Sequence, residues 1–107
     1  MTDYLSGSKE QVVVDLTCDA AGFAVANWTG EMTFVTAGNT LYEDTATWIS
    51  CTLPPGSSSA AFNASLMLTT DVTLTRGVYD VYVRLTKTGD SAAEKPIVPA
   101  DGYVRIR

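Results

Sequence analysis

Leu74-Thr75-Arg76-Gly77-Val78-Tyr79-Asp80-Val81-Tyr82-Val83-Arg84-Leu85-Thr86 is the stretch that decides the fold. From Gly77 onward it alternates, with Tyr79, Val81, Val83 and Leu85 on one face and Asp80, Tyr82, Arg84 and Thr86 on the other. A period of two marks a strand with one buried face. The residues leading into it, Leu74, Gly77 and Tyr79, have the Leu-x-x-Gly-x-Tyr spacing of a tyrosine corner. In that motif the chain crosses between the two sheets of a sandwich, and the phenol hydroxyl bonds back to upstream backbone. Gly77 permits the bend, Leu74 anchors the loop inward, and a buried phenol needs a partner.

Working outward, the same alternation recurs. Gln11–Thr17 places Val12, Val14 and Leu16 on one face; Ala61–Thr69 places Phe62, Ala64, Leu66 and Leu68 inward and Asn63 and Ser65 outward. Gly30–Val35 carries Met32 and Phe34 on one side, Ala46–Leu53 forms a further strand, and Gly102–Arg107 closes the chain with Val104 and Ile106 inward. A short segment at Phe23–Ala26 and a brief pairing at Leu41–Tyr42 are also expected. Turn chemistry separates these runs at Asp19–Gly22, Ala37-Gly38-Asn39 and the breaker Pro54–Ser59, and Lys87–Pro96 reads as a polar loop. Short strands at this spacing predict an all-β, Greek-key β-sandwich of about seven to eight strands. Residues 1–9 read as a polar N-terminal arm and 10–107 as a single domain.

Composition sets the outer bounds. At 107 residues, 46% hydrophobic and 18% charged, the chain is one globular domain. Its net charge of -5 gives a negative far field that repels phosphate backbones, and no Lys/Arg cluster interrupts it, so no nucleic-acid partner is expected. No stretch approaches the roughly 20 apolar residues of a membrane span. The first ten residues lack the basic start and apolar run of a signal peptide, which points to synthesis in a cytoplasm. In that setting Cys18 and Cys51 are expected to be reduced, although the sequence leaves a bond between them open. Any bridge would not be the antibody one, because Val81 stands two residues after Tyr79.

The chain contains no histidine, which removes the usual general base and the commonest metal ligand. Ser-His-Asp and Cys-His arrangements and His-based zinc sites are therefore impossible, and no phosphate-cradling glycine loop occurs. The acids Asp19, Glu31, Glu43, Asp44, Asp71, Asp90, Glu94 and Asp101 lie mostly at expected turns, where Asp is favoured for conformational reasons. Glu43-Asp44 lacks the spaced carboxylates of a calcium loop. The reading is a protein that is not an enzyme and carries no cofactor or metal. What remains is surface. Tyr82 and Tyr103 are candidates for an interface because their neighbours claim the core. Trp48 faces outward if Ile49, Cys51 and Leu53 face inward, and is buried in the opposite phase. Tyr4 and Leu5 are candidate anchors on the N-terminal arm. Trp28, Trp48 and Tyr42 are the alternative: a stacking surface of a carbohydrate-binding or adhesion module.

The run Leu74–Thr86, followed by a loop and the closing Gly102-Tyr103-Val104-Arg105-Ile106-Arg107, resembles small virion proteins of tailed phages, those of actinobacteria above all. It is similar, more loosely, to the immunoglobulin-like N-terminal domain of phage upper-baseplate proteins. Asn27–Val35 and Thr45–Trp48 fit the same layout. The resemblance implies an immunoglobulin-like sandwich located in a virion, as a capsid decoration, minor capsid, or head–tail or tail accessory subunit. Its implied partners are other virion proteins, the major capsid or tail proteins, or further copies of itself. The upper-baseplate domains continue into a fibre or receptor-binding region, whereas this chain stops at Arg107, so a free-standing subunit is expected.

Overall fold

A computed structural model describes residues 2–5, 7, 9–17, 28–42, 45–53, 61–68, 70–87 and 96–107. These residues form seven strands: β1 (Thr2–Tyr4), β2 (Gln11–Thr17), β3 (Trp28–Thr36), β4 (Ile49–Cys51), β5 (Ala61–Met67), β6 (Gly77–Lys87) and β7 (Ile97–Ile106). One sheet has the order β1-β7-β6-β3-β4, and β2 pairs with β5 in the other. All pairings are antiparallel except β1 with β7. The chain is an all-β sandwich. Placing β2 and β5 opposite β3, β6 and β7 is the division of strands B and E from C, F and G in the immunoglobulin fold. The turn at Asp19–Gly22, the segment Phe23–Ala26, the breaker Pro54–Ser59, Glu43-Asp44, Cys18 and most of the Lys87–Pro96 loop lie outside the described residues.

The core is built by the alternation in the sequence. Val12, Val14 and Leu16 of β2 and Phe62, Ala64 and Leu66 of β5, with Leu68 just beyond it, face Met32, Val81, Val83, Leu85, Val104 and Ile106 of the larger sheet. Each fully buried aliphatic side chain contributes about 1.5–3 kcal/mol. At the corner, the Tyr79 hydroxyl donates to the Thr75 carbonyl at 2.8 Å and lies 3.0 Å from Thr75 Oγ1. The ring meets Phe34 edge-on at 6.3 Å. Leu74 packs against the core, and Gly77 has φ +152°, a backbone setting that side chains rarely adopt. The two sheets also join where Thr52, one residue past β4, exchanges two backbone hydrogen bonds with Ser65 of β5.

Several elements differ from the sequence reading: the expected strand Ala46–Leu53 forms only over Ile49–Cys51, and Leu41–Tyr42 makes no strand pairing among the described residues. Residues 2–4, read as part of a polar arm, are a strand of the sheet, and Tyr4 is only 7% exposed. The alternation of Asp3 outward and Tyr4 inward spans too few residues to register as a pattern. In consequence the end of β7 is not an open edge, because β1 pairs with Val104–Ile106. Finally, β7 begins at Ile97 rather than at Gly102, and Ala100, Asp101 and Gly102 together oppose Val81 in a bulge. Pro99 is tolerated there. Leu85 donates to the Pro96 carbonyl, so the alternating ladder leaves the Pro99–Tyr82 pair without backbone bonds and Pro99 with no ladder bond to lose.

Candidate interaction surface

The register of the larger sheet fixes what its solvent face presents. Across β3, β6 and β7 run three rows: Glu31, Arg84 and Ile97; Thr33, Tyr82 and Pro99; and Val35, Asp80 and Tyr103. Their strand neighbours Met32, Val81, Val83 and Val104 are buried, so alternation sends these side chains to the outer side of the sheet, where Thr33 is nonetheless covered at 3% exposure. Tyr103 is 50% exposed and Tyr82 is half-buried.

Trp48 joins this face. Ile49, Cys51 and Leu53 pack against the core, which puts the indole on the solvent side. The Arg84 guanidinium lies 4.4 Å above its ring and donates from Nε and Nη2 to Glu31 Oε1 at 3.2 and 3.0 Å. A cation over an indole is worth about 0.5–2 kcal/mol depending on desolvation. The exposed part of the ion pair adds little to stability; its effect is to hold the arginine plane flat on the indole. At the far rim, Asp3 accepts from Arg105 at 3.0 and 2.7 Å and from Arg107 at 3.1 and 2.8 Å. The hydrogen bond from Arg105 is the largest influence on Asp3 and, with Arg107, holds its carboxyl below the ordinary value despite desolvation.

Of the five side chains singled out for contact, three therefore share one face: Trp48, Tyr82 and Tyr103. Tyr4 does not belong with them, since it fills the core and its hydroxyl accepts from the Val13 N–H at 3.3 Å. Leu5 is 61% exposed just past β1. The aromatic stacking set is also divided: Trp28 packs against the core, Trp48 lies under Arg84, and Tyr42 alone is 68% exposed. Sequence reasoning did not anticipate the cleft beside Tyr42. It measures about 800 Å³ and follows the edge of β3 beyond the end of β4, lined by Thr33, Val35, Thr40, Tyr42, Thr47 and Val72 among others. Its signal was the density of threonines between Thr33 and Thr47.

The outer face combines apolar area with paired charges. Aromatic rings and the aliphatic groups of Val35, Ile97 and Pro99 supply apolar area, while Glu31–Arg84 and Asp3–Arg105 neutralise each other. Charges that are already paired cost less to desolvate than isolated ones, which leaves Asp80 as the charge on this face without an ion-pair partner among the described residues. Cys51 is a free, half-buried thiol whose pKa is pushed up to about 11, first by burial and then by the charge of Glu31. Among the described residues no three His, Cys, Asp or Glu side chains converge as metal ligands, and no helix is long and apolar enough to cross a membrane. No protein-family model matches the chain, and searches of curated proteins and of solved structures find no significant match.

Proposed function

We propose that this chain is a non-catalytic structural subunit that acts by protein–protein assembly, with the outer face of the five-stranded sheet as its contact surface. We further propose that the assembly is a tailed-phage virion, in which the chain serves as a capsid decoration, minor capsid, or head–tail or tail accessory protein. The observation that carries the assembly reading is the gathering of Trp48, Tyr82 and Tyr103 on one face, where Glu31 is paired with Arg84 and Asp3 with Arg105 while Asp80 carries a charge unpaired among the described residues. Aromatic side chains in such a setting are the usual energetic anchors of interfaces. The virion reading is supported by the resemblance of Leu74–Thr86 and Gly102–Arg107 to small phage structural proteins. The lack of histidine supports a role without acid–base chemistry.

The test compares particle incorporation of Tyr103→Glu with that of Tyr42→Glu, by mass spectrometry of purified virions. Both residues are well exposed, but only Tyr103 lies on the outer face. Tyr103→Glu should lower incorporation at least about tenfold, the scale of a lost interface anchor, and Tyr42→Glu should leave it unchanged. Full incorporation of Tyr103→Glu would overturn the reading.

A second reading is favoured by one observation, the exposed Tyr42 ring beside a threonine-lined cleft. A carbohydrate-binding or adhesion module would stack a sugar on that ring and bond its hydroxyls from the threonines. Glycan-array binding that is abolished by Tyr42→Ala would establish this reading, and an array without hits would remove it.

A further inference from the structure

We infer that β1 is exchanged between copies of this chain: Thr2–Tyr4 of one copy docks on β7 of a second, and the second returns its own β1. The inference does not rest on the outer-face reading. The contacts of β1 form a receptor that is separate from its tether.

The receptor has three parts. The end of β7 supplies a strand edge that pairs in parallel with Thr2, Asp3 and Tyr4, and the Arg107 N–H donates to the Tyr4 carbonyl at 2.8 Å. Arg105 and Arg107 form a dibasic clamp on the Asp3 carboxylate. A slot in the core takes the Tyr4 ring, and the Val13 N–H meets its hydroxyl. Together they select an extended segment with an acidic residue immediately before an aromatic one. Strand edges with a side-chain pocket are a recurrent mode of peptide recognition.

The tether runs from Leu5 to Glu10. Its described residues Leu5, Gly7, Lys9 and Glu10 are all exposed. Gly7 turns at φ +78°, with nothing within 4 Å of where a Cβ would stand. Every receptor contact is therefore the same whether β1 comes from its own chain or from another. The turn at Gly7 and the concentration then bear directly on which form is populated. The occupant is a second copy because each copy carries the Asp3-Tyr4 pair that the receptor selects.

A charge-reversal pair tests this on the full chain. Asp3→Arg sets its own β1 against Arg105 and Arg107, and Arg105→Glu/Arg107→Glu sets Asp3 against two carboxylates. In both variants docking of β1 within the chain or on its own kind is disfavoured, because like charges meet at the clamp. Mixed, each presents the strand that the other accepts. Light scattering should show each variant alone as a monomer, and the mixture as a one-to-one species of twice 11.4 kDa. A mixture that stays monomeric overturns the exchange.

A second variant reads the hinge. Gly7→Ala strains the closed turn without any clash and should raise dimerisation of the otherwise native chain about tenfold, the cost of an L residue in the left-handed region; an unchanged or lower dimer fraction contradicts the proposal. Full particle incorporation of Tyr103→Glu would remove the outer-face reading without altering either result.

Discussion

Replacing Tyr79 with phenylalanine isolates the bond that closes the corner. The ring keeps its edge contact with Phe34 and its packing against the core. Only the hydroxyl is lost, with its 2.8 Å bond to the Thr75 carbonyl and its 3.0 Å approach to Thr75 Oγ1. A neutral hydrogen bond nets about 0.5–1.5 kcal/mol. Thr75 is exposed, so water takes over its carbonyl and no buried acceptor is stranded. The expected loss is therefore about 1 kcal/mol, equivalent to about 4–8 °C in Tm for a domain of this size. Urea unfolding followed by tryptophan fluorescence should show a lower midpoint with an unchanged slope. Tyr79→Ala removes the ring as well and should cost about 2–3 kcal/mol, less than a fully buried aromatic because the ring is half-buried. A Tyr79→Phe change below about 0.3 kcal/mol would refute a stabilising corner bond. Equal losses for Phe and Ala would refute the contribution assigned to the ring.

Gly30→Ala puts a Cβ 2.9 Å from Cys51 Sγ and 3.2 Å from Leu53 Cδ2, so it should destabilise by about 1–3 kcal/mol through overpacking, checked by thermal unfolding. Asp3, held below its ordinary 3.8 chiefly by the Arg105 hydrogen bond, contributes stability that is complete above that value and disappears as pH falls through the lower folded value. Amide exchange should accordingly show protection of Arg107 N–H beginning to decline below pH 3.8 in the native chain; an identical acid profile for Asp3→Asn would contradict the clamp. In a Cys18→Ser background, the raised pKa of Cys51 should slow thiol labelling at neutral pH about a hundredfold against the unfolded chain, and fast labelling of the native state would be inconsistent with its burial.

Much of the core was legible because a strand with one wet face writes its burial directly into the sequence. Val12, Val14 and Leu16, the inward residues of Ala61–Thr69, and Val81, Val83 and Leu85 are all buried as the alternation requires. The corner was legible because its chemistry is local, with donor and acceptor only four positions apart. Tyr4 was not, because its partners Val104–Ile106 and Val13 are brought to it only by the finished fold. The first half of β7 was hidden by Pro96 and Pro99, which signal a loop unless the ladder happens to place the missing N–H where no bond forms. The outer face was half legible. Alternation exposes Tyr82 and Tyr103, but that Trp48 lies beside them under Arg84 depends on the β3–β4 register.

The central claim is that the outer face of the five-stranded sheet is what the chain offers a partner. Hydroxyl-radical footprinting of the chain, free and within the assembled particle, tests it most directly. Labelling of Trp48, Tyr82 and Tyr103 should fall in the assembly while labelling of Tyr42 and Val13 stays as in the free chain. Undiminished labelling of Tyr103, with protection at Tyr42 instead, would contradict it.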